Sequence, residues 1–278
     1  MSLIEKISQQ AAHLTPNERR LAETVIESPT TAALGTASDL ARIVGVHEAT
    51  ASRLVRKLGF DSYAAFRDAL REEFIATRDP ATRFEKTIAE TPAGTILGSL
   101  AQTEAQALSR IEDFITADQI ADAAGLMMAA PRIFIYGYGN AEVLALMMTK
   151  RFRRFGKDVH HMTPDPRGLA EQALGMQAGD ALLTFAFRRP PRAYAALIQT
   201  AHEAGAASIV ISGNSGALLS PRPDHLLAAP RSGDPDAFQT LTVPMTVCNA
   251  IIIAAGQTAK DTSLKKLERL GHLIERFE

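Results

Sequence analysis

Cysteine is almost absent: Cys248 is the only one in 278 residues, so no intrachain disulfide and no multi-cysteine metal site can form. It lies in the apolar run 247–255, where the expected role is that of a small buried hydrophobe. That run, broken only by Asn249, is far shorter than the roughly 20 residues a bilayer requires. Residues 1–10 lack the apolar centre of a signal peptide, so a soluble cytoplasmic protein with no membrane partner is expected. An excess of charge is missing too. Thirty Lys and Arg stand against 31 Asp and Glu, a net charge of −1, so no global field draws the chain to nucleic acid and any DNA binding has to be local.

What is present is the composition of a folded protein. Apolar residues make up 46% of the chain and charged residues 22%, which excludes wholesale disorder and fibrous repeats. At roughly 150 residues per domain the length allows two domains, each with its own core.

Residues 1–75 read as short helices with tight turns. Thr15, Pro16 and Glu18 supply an N-cap, a proline at the first helical position and a Glu three residues after the cap, with Leu21, Val25 and Ile26 inward and Pro29 as the stop. Ser38 is expected to cap a second helix through Leu40, Ala41 and Val44. Gly45 then turns the chain into a third helix from about Glu48 to Leu58, ended by Gly59. Residues 76–94 combine high charge density with Pro80, Pro92 and Gly94 and read as a linker. From 95 to 278 the pattern changes. A helical stretch near Ile96 to Ile115 is followed by five candidate strands, Arg132 to Tyr136, Val159 to His161, Ala181 to Phe185, Ser208 to Ile211 and His225 to Ala228. Helices near 141–155, 168–176, 191–204 and 214–219 separate them, and two more close the chain near 238–257 and 263–277. This alternation predicts an α/β domain with a five-stranded parallel sheet covered on both faces, with ligands at the carboxyl ends of its strands.

In the third helix Ala51, Leu54, Val55 and Leu58 form the inward stripe. The opposite face carries Ala49, Ser52, Arg53 and Arg56, with Thr50 and Lys57 on its flank. Short residues allow close approach to base edges, and the Arg53 guanidinium can fork onto guanine or phosphate. Residues 1–75 hold nine basic and ten acidic residues, which leaves a solvated face of a small bundle as the alternative. Three of the nine nevertheless fall within 53–57, where only Glu48 opposes them nearby.

Between Ala37 and Phe74 the pieces L-A-x-x-x-G-V, E-A-T and R-K-L-G-F stand in that order, and the segment resembles the N-terminal domain of the MurR/RpiR transcriptional regulators. The resemblance implies an all-α helix-turn-helix domain followed by an α/β SIS (sugar isomerase) domain. It also implies that Thr50, Ser52 and Arg53 lie in the recognition helix. The candidate DNA-facing set is Ser38, His47, Ala49, Thr50, Ser52, Arg53, Arg56 and Lys57. His47 stands where the family usually has a serine N-cap, so a looser helix start is expected.

In the second domain the first strand leads into Gly137, Tyr138, Gly139, Asn140, Ala141 and Glu142, a turn whose amides can face an anion over a helix N-terminus. The alternative is that its glycines serve only tight helix–strand packing. Glu142, and a second strand ending His160-His161, do not fit a dinucleotide fingerprint. The SIS resemblance implies serine and threonine hydroxyls around a phosphosugar. Gly179 and Asp180 precede the expected strand, but four hydroxyl positions are occupied by Ala141, Ala186, Arg188 and Pro191. Arg188 and Arg189, with Arg192 beyond them, offer planar forks for phosphate or carboxylate instead. A dimer contact or a solvated edge is the other role open to them. Ser212, Gly213, Asn214 and Ser215 keep polar turn chemistry. The candidate effector set is therefore Gly137, Gly139, Asn140, Arg188, Arg189, Ser212 and Asn214, and the effector class a small anionic metabolite, a phosphosugar or a sugar acid or other carboxylate.

These residues point to a ligand-responsive transcriptional regulator, with repression the commoner behaviour of the family. Its expected partners are double-stranded operator DNA, the anionic effector and a second copy of itself, as a homodimer or higher homo-oligomer. No cofactor, metal site or catalytic residue is expected. The alternatives are an SIS-fold sugar-phosphate isomerase, for which Glu142, His160, His161 and Glu171 are the obvious acid–base candidates, and an interaction module that senses nothing.

Overall fold

The computed structural model describes residues 3–27, 32–33, 35–70, 80–92, 94–187, 190–213, 216, 219–234 and 237–278. The chain divides into two compact units, one of residues 1–108 with 214–220 and 231–240, the other of the remainder.

Among the described residues the first unit starts with helices α1 (Leu3–Gln10), α2 (Pro16–Glu27), α3 (Ala37–Val44), α4 (Glu48–Lys57) and α5 (Tyr63–Leu70). They enclose one core that includes Leu3, Ile7, Leu21, Val25, Leu40, Leu54, Phe66 and Leu70. The expected start of α2 is present: the Thr15 amide donates to the Glu18 carboxylate at 2.9 Å while the Glu18 amide donates to Thr15 Oγ1 at 3.4 Å. The expected cap of α3 is corrected. Thr36, not Ser38, is the N-cap, and it exchanges bonds with Asp39 in a capping box, leaving Ser38 exposed inside the first turn. Both residues precede an apolar stripe, and the acid three positions after Thr36 decides between them. Gly45 ends α3 at φ 71°, its amide and that of Val46 returning to Arg42 and Ala41, so the tight turn into α4 rests on a residue that tolerates the left-handed conformation.

Two more helices follow, α6 (Pro80–Glu90) and α7 (Ile96–Leu108). The segment read as linker therefore carries 11 residues of helix. Its prolines bound that helix rather than break it, because Pro80 sits in the first turn, where a missing amide costs nothing. Both helices hold residues 231–240. Lys86 pairs with Asp234 at 2.5 Å, the Phe238 amide donates to Thr87 Oγ1 at 2.9 Å, and Phe84 meets Phe238 edge to face.

The second unit opens with a helix missing from the sequence expectations, α8 (Ala117–Ala129), capped reciprocally by Thr116 and Gln119. Then come β1 (Arg132–Tyr136), α9 (Glu142–Arg154), β2 (Asp158–His161), α10 (Pro166–Ala173), β3 (Ala181–Ala186), α11 (Tyr194–Ala204), β4 (Ala207–Ser212), β5 (His225–Ala228), α12 (Thr242–Thr258) and α13 (Lys260–Phe277). All five strands run parallel in the order β2-β1-β3-β4-β5. Right-handed crossovers put α9 on one face and α11 on the other. On the α9 side α12 packs against both α9 and α8. β3 is buried at all six positions, as a central parallel strand requires.

Several helix ends differ from expectation. α10 begins at Pro166 behind an Asp165 cap. α12 begins four residues later than expected because Phe238 to Thr240 lie in the bonded 231–240 segment. Most of the helix expected near 214–219 falls outside the described residues. Two polar clamps fix the sheet's amino end. Arg132 Nε and Nη2 donate to the two oxygens of buried Asp180 at 3.1 and 2.6 Å, joining β1 to the approach to β3. Lys157 Nζ caps the carboxyl end of α8 through the Met128 and Ala130 carbonyls at 2.9 and 2.5 Å, and burial holds its pKa below the ordinary lysine value. Among the described residues no single helix is long and apolar enough to cross a membrane.

Candidate functional site

The candidate nucleic-acid surface is one face of α4. Ala51, Leu54, Val55 and Leu58 are buried, as their spacing demands, which turns Ala49, Arg53 and Arg56 outward with Ser52 half-buried beside them. His47 caps the helix, its Nδ1 accepting from the Ala49 amide at 3.2 Å, so the ring performs the duty expected of a serine.

Two candidates are placed differently from expectation. Thr50 is 7% exposed and its Oγ1 accepts from Arg53 at 3.3 Å, so it steadies the guanidinium from beneath rather than facing outward. Lys57 is tied back across the fold, its Nζ reaching Glu18 Oε2 at 2.6 Å and the His13 carbonyl at 3.2 Å. Glu18 is 3% exposed. Burial opposes its ionisation, but the Lys57 ammonium and the Thr15 amide and hydroxyl outweigh that and hold its carboxyl below the usual range. Sequence reasoning saw Glu18 only as a capping residue. A sequence separation of 39 from Lys57 leaves no local signal of the pair.

Other cations of this domain also serve the fold. Arg20 donates to the Val44 carbonyl at the end of α3, Arg19 donates to the Ala11 carbonyl, Lys6 lies over the Phe60 ring, and Arg42 pairs with Asp39. The outward-facing cations of α4 are thus Arg53 and Arg56.

The second candidate region is the carboxyl end of the sheet, where the strand order reverses direction about β1 and β3. Gly137 leaves β1 under α9. A Cβ there would lie 2.6 Å from the Ala141 carbonyl oxygen and 2.8 Å from the Ala145 Cβ, so this glycine is required for helix–strand approach. Gly139 takes φ 60° and Asn140 is exposed. The Ala141 and Glu142 amides return to Tyr138 and Gly139 inside the turn. Ala141 and Ala186 are buried. Ser212, expected to line the crevice, is 3% exposed and its hydroxyl donates to the Ala186 carbonyl, which stitches β4 to β3. Arg188, Arg189 and Asn214 lie outside the described residues. The sheet therefore brings the Gly137–Asn140 turn and the ends of β3 and β4 to one side. His160 stacks on Phe134 with ring centroids 4.9 Å apart. Among the described residues no three His, Cys, Asp or Glu side chains gather to hold a metal ion.

Two family models match the chain, the helix-turn-helix domain of the rpiR family over residues 1–77 and the SIS domain over residues 126–254. Residues 1–77 form a helix-turn-helix domain of the rpiR family. The HTH-type transcriptional regulator RpiR of Escherichia coli K12 is 20% identical over 267 residues, 95% of this chain and 89% of that protein. An uncharacterised HTH-type transcriptional regulator of Haemophilus influenzae is 27% identical over 164 residues, and that match spans 57% of this chain and 56% of the Haemophilus protein. Among solved structures, Vibrio vulnificus NanR complexed with ManNAc-6P matches with a TM-score of 0.59 at 18% identity, covering 100% of this chain and 99% of that one. The sugar isomerase domain of a Sphaerobacter thermophilus RpiR transcription factor matches with a TM-score of 0.59 at 15% identity, covering 64% and 99%. At these identities the structures share the fold. The two matches place α1 to α5 in the helix-turn-helix domain and β1 to β5 in the SIS domain.

Proposed function

We propose that this protein is a ligand-responsive regulator of the RpiR family that reads a symmetric double-stranded operator through α4 and senses a small anionic metabolite through its SIS domain. The division of labour is residues 1–75 for DNA, 76–94 as connection and 95–278 for sensing and self-association. The observation that carries the reading is the outward face of α4, where Arg53, braced by Thr50, and Arg56 stand beside the short side chains of Ala49 and Ser52. Ser38 at the start of α3 and the His47 cap lie at the helix ends that approach the backbone. One short helix reads too few bases, so two copies on two half-sites are required, as a homodimer or a higher homo-oligomer.

The effector class is a phosphosugar or a sugar acid, held by Gly139, Asn140, Arg188, Arg189 and Asn214, with Gly137 and Ser212 shaping the crevice. The ManNAc-6P in the Vibrio vulnificus NanR complex supports a phosphosugar, and the loss of hydroxyls at Ala141, Ala186, Arg188 and Pro191 supports altered anion contacts. Effector binding changes operator affinity by the same factor as operator binding changes effector affinity. We assign repression rather than activation, no catalytic role, and a cytoplasmic location with the chromosome. An SIS-fold isomerase would have no use for a DNA-reading domain.

The test is fluorescence anisotropy of the full-length protein on its own upstream DNA, with excess unrelated duplex as competitor. Competitor-resistant binding lost in Arg53→Ala is the expected result. Equal affinity for both duplexes, together with turnover in a coupled isomerase assay, would replace the regulator by an enzyme.

A further inference from the structure

α13 belongs wholly to the second unit and buries little of itself there. It turns 105° away from α12, touches α9 and α12, and lays the Lys266 side chain over Gly156 at the end of α9. Of its 18 residues only Ser263 is buried. A helix in water takes most of its stability from an apolar face packed against something, and α13 has such a face. Leu267, Leu270, Ile274 and Phe277 follow one another at intervals of three, four and three, the heptad spacing that keeps one seam on one side of a helix. Leu267, Ile274 and Phe277 are 37%, 45% and 88% exposed, and Leu270 is half-buried. Gly271, four residues after Leu267 and three before Ile274, borders the same seam, and a Cβ there would meet nothing. Glycine in an exposed helix interior lowers helix stability; beside a seam it lets a second helix come close.

The chemistry of the seam says what covers it. It carries no charged residue, so a polyanion finds nothing to hold. Residues 260–278 contain five basic and four acidic side chains, whereas a helix built to lie on a lipid surface has an excess of Lys and Arg on its polar face. The outward face mixes both signs, Lys265, Arg269 and Arg276 with Glu268 and Glu275, so a second copy approaches without meeting a field of one sign. A seam of this spacing also complements itself, because two copies related by a two-fold axis cover each other's apolar side chains. The same side of the sheet leaves Val143 and Leu146 of α9 and Ile253 of α12 exposed, while α11 on the other side exposes no large hydrophobic. That accumulation on one side marks a protein interface, on the scale of the roughly 800 Å² per partner that a standard one covers.

We propose that the α13 seam is where two copies of this chain meet: Leu267, Leu270, Ile274 and Phe277 of one protomer pack against the same helix of its partner across a two-fold axis. The proposal rests on the reading that two copies bind two half-sites, and it names the surface that pairs them. The contact lies within the second unit alone.

The experiment is sedimentation equilibrium of the full-length protein and of two double variants, Leu267→Glu with Ile274→Glu and Leu267→Lys with Ile274→Lys. The expected result is a wild-type dimer and, for each variant alone, association weakened about 100-fold or more. Mixing the acidic with the basic variant is expected to restore a dimer, since opposite charges then face each other across the seam, a recovery that misfolded chains do not show. Variants that dimerise like the wild type, or a mixture that stays monomeric, overturn the α13 contact and leave self-association intact. Hydrogen exchange of the wild type gives the answer without a variant. The amides of 264–277 are expected to lose protection when dilution dissociates the dimer, and unchanged protection there overturns the contact. A wild type that sediments as a monomer counts against the contact and the two-copy reading together. Flotation of that monomer with vesicles of phosphatidylglycerol and phosphatidylcholine would give the seam to a lipid surface instead.

Discussion

Arg56 and Lys57 are adjacent on α4 and both carry a full positive charge, yet their surroundings differ. Arg56 points outward, whereas Lys57 neutralises Glu18 beneath the helix. A phosphate contact releases counterions and contributes about one unit to the salt dependence of binding. Arg56→Ala is therefore expected to lower operator affinity and shallow the salt slope by about one, while Lys57→Ala leaves the slope unchanged in anisotropy titrations across salt concentrations. The lysine variant loses stability instead, about 1–3 kcal/mol in urea denaturation, since it leaves the buried Glu18 carboxylate without its ammonium. Asp180 presents the opposite case. Buried and held by Arg132 and the Gln177 amide, it leaves behind a part-exposed guanidinium that water can reach, and Asp180→Ala is expected to lower stability by the same measurement through the bonds it loses. The sequence shows such residues as charges but not as pairs. Glu18 and Lys57 come together only through the packing of α2 on α4, and Asp180 and Arg132 only through the register of β1 with β3.

Helix ends separate good sequence signals from ambiguous ones. Thr36 and Ser38 both precede the apolar stripe of α3, and only the reciprocal bonds of Asp39 distinguish them. Thr36→Ala is expected to cost about 1 kcal/mol and Ser38→Ala less than about 0.5 kcal/mol, read from denaturation midpoints at constant slope. The strands were legible because each is a short apolar or β-branched run bounded by turn residues, and the parallel sheet followed from their alternation with helices. α8 was not, because its alanines give a weak periodic pattern. The glycine turn after β1 was legible as a motif, but its cause was open between anion contact and packing. For Gly137 the space decides. A methyl group there collides with the Ala141 carbonyl just before α9 and with the Ala145 side chain on it, so Gly137→Ala is expected to destabilise by about 1–3 kcal/mol, with urea denaturation as the readout and any effector bound in proportion to the folded fraction.

At the scale of the whole molecule, each unit holds a carboxylate that makes it sensitive to acid. In the second, Asp224 is pulled down despite its partial burial by the Ser208 amide at 2.8 Å and hydroxyl at 2.7 Å and by the charges of His202 and His225. In the first, Glu18 is pulled down by Lys57 and Thr15. A carboxyl whose pKa is lower folded than unfolded binds fewer protons in the folded state, so its stabilisation is present at neutral pH and above its unfolded value near 4. It fades as the pH falls through that value toward the folded one. Melting curves between neutral pH and about pH 3 are expected to show Asp224→Asn less stable than wild type at neutral pH and converging with it in acid. Glu18→Gln behaves alike, and a variant whose deficit is the same at every pH would show that neither titration matters.

The position of the lone cysteine has a practical consequence. Cys248 lies on α12, fully enclosed, and burial pushes its thiol well above the ordinary range, so thiolate-seeking reagents find almost nothing to attack in the native protein. For labelling chemistry the molecule is thus already blank. A cysteine introduced at Ser52 or Asn140 takes up a maleimide fluorophore or a spin label alone, and distances between labelled copies, with and without operator or sugar, follow from the native background without first removing the residue that packs its core.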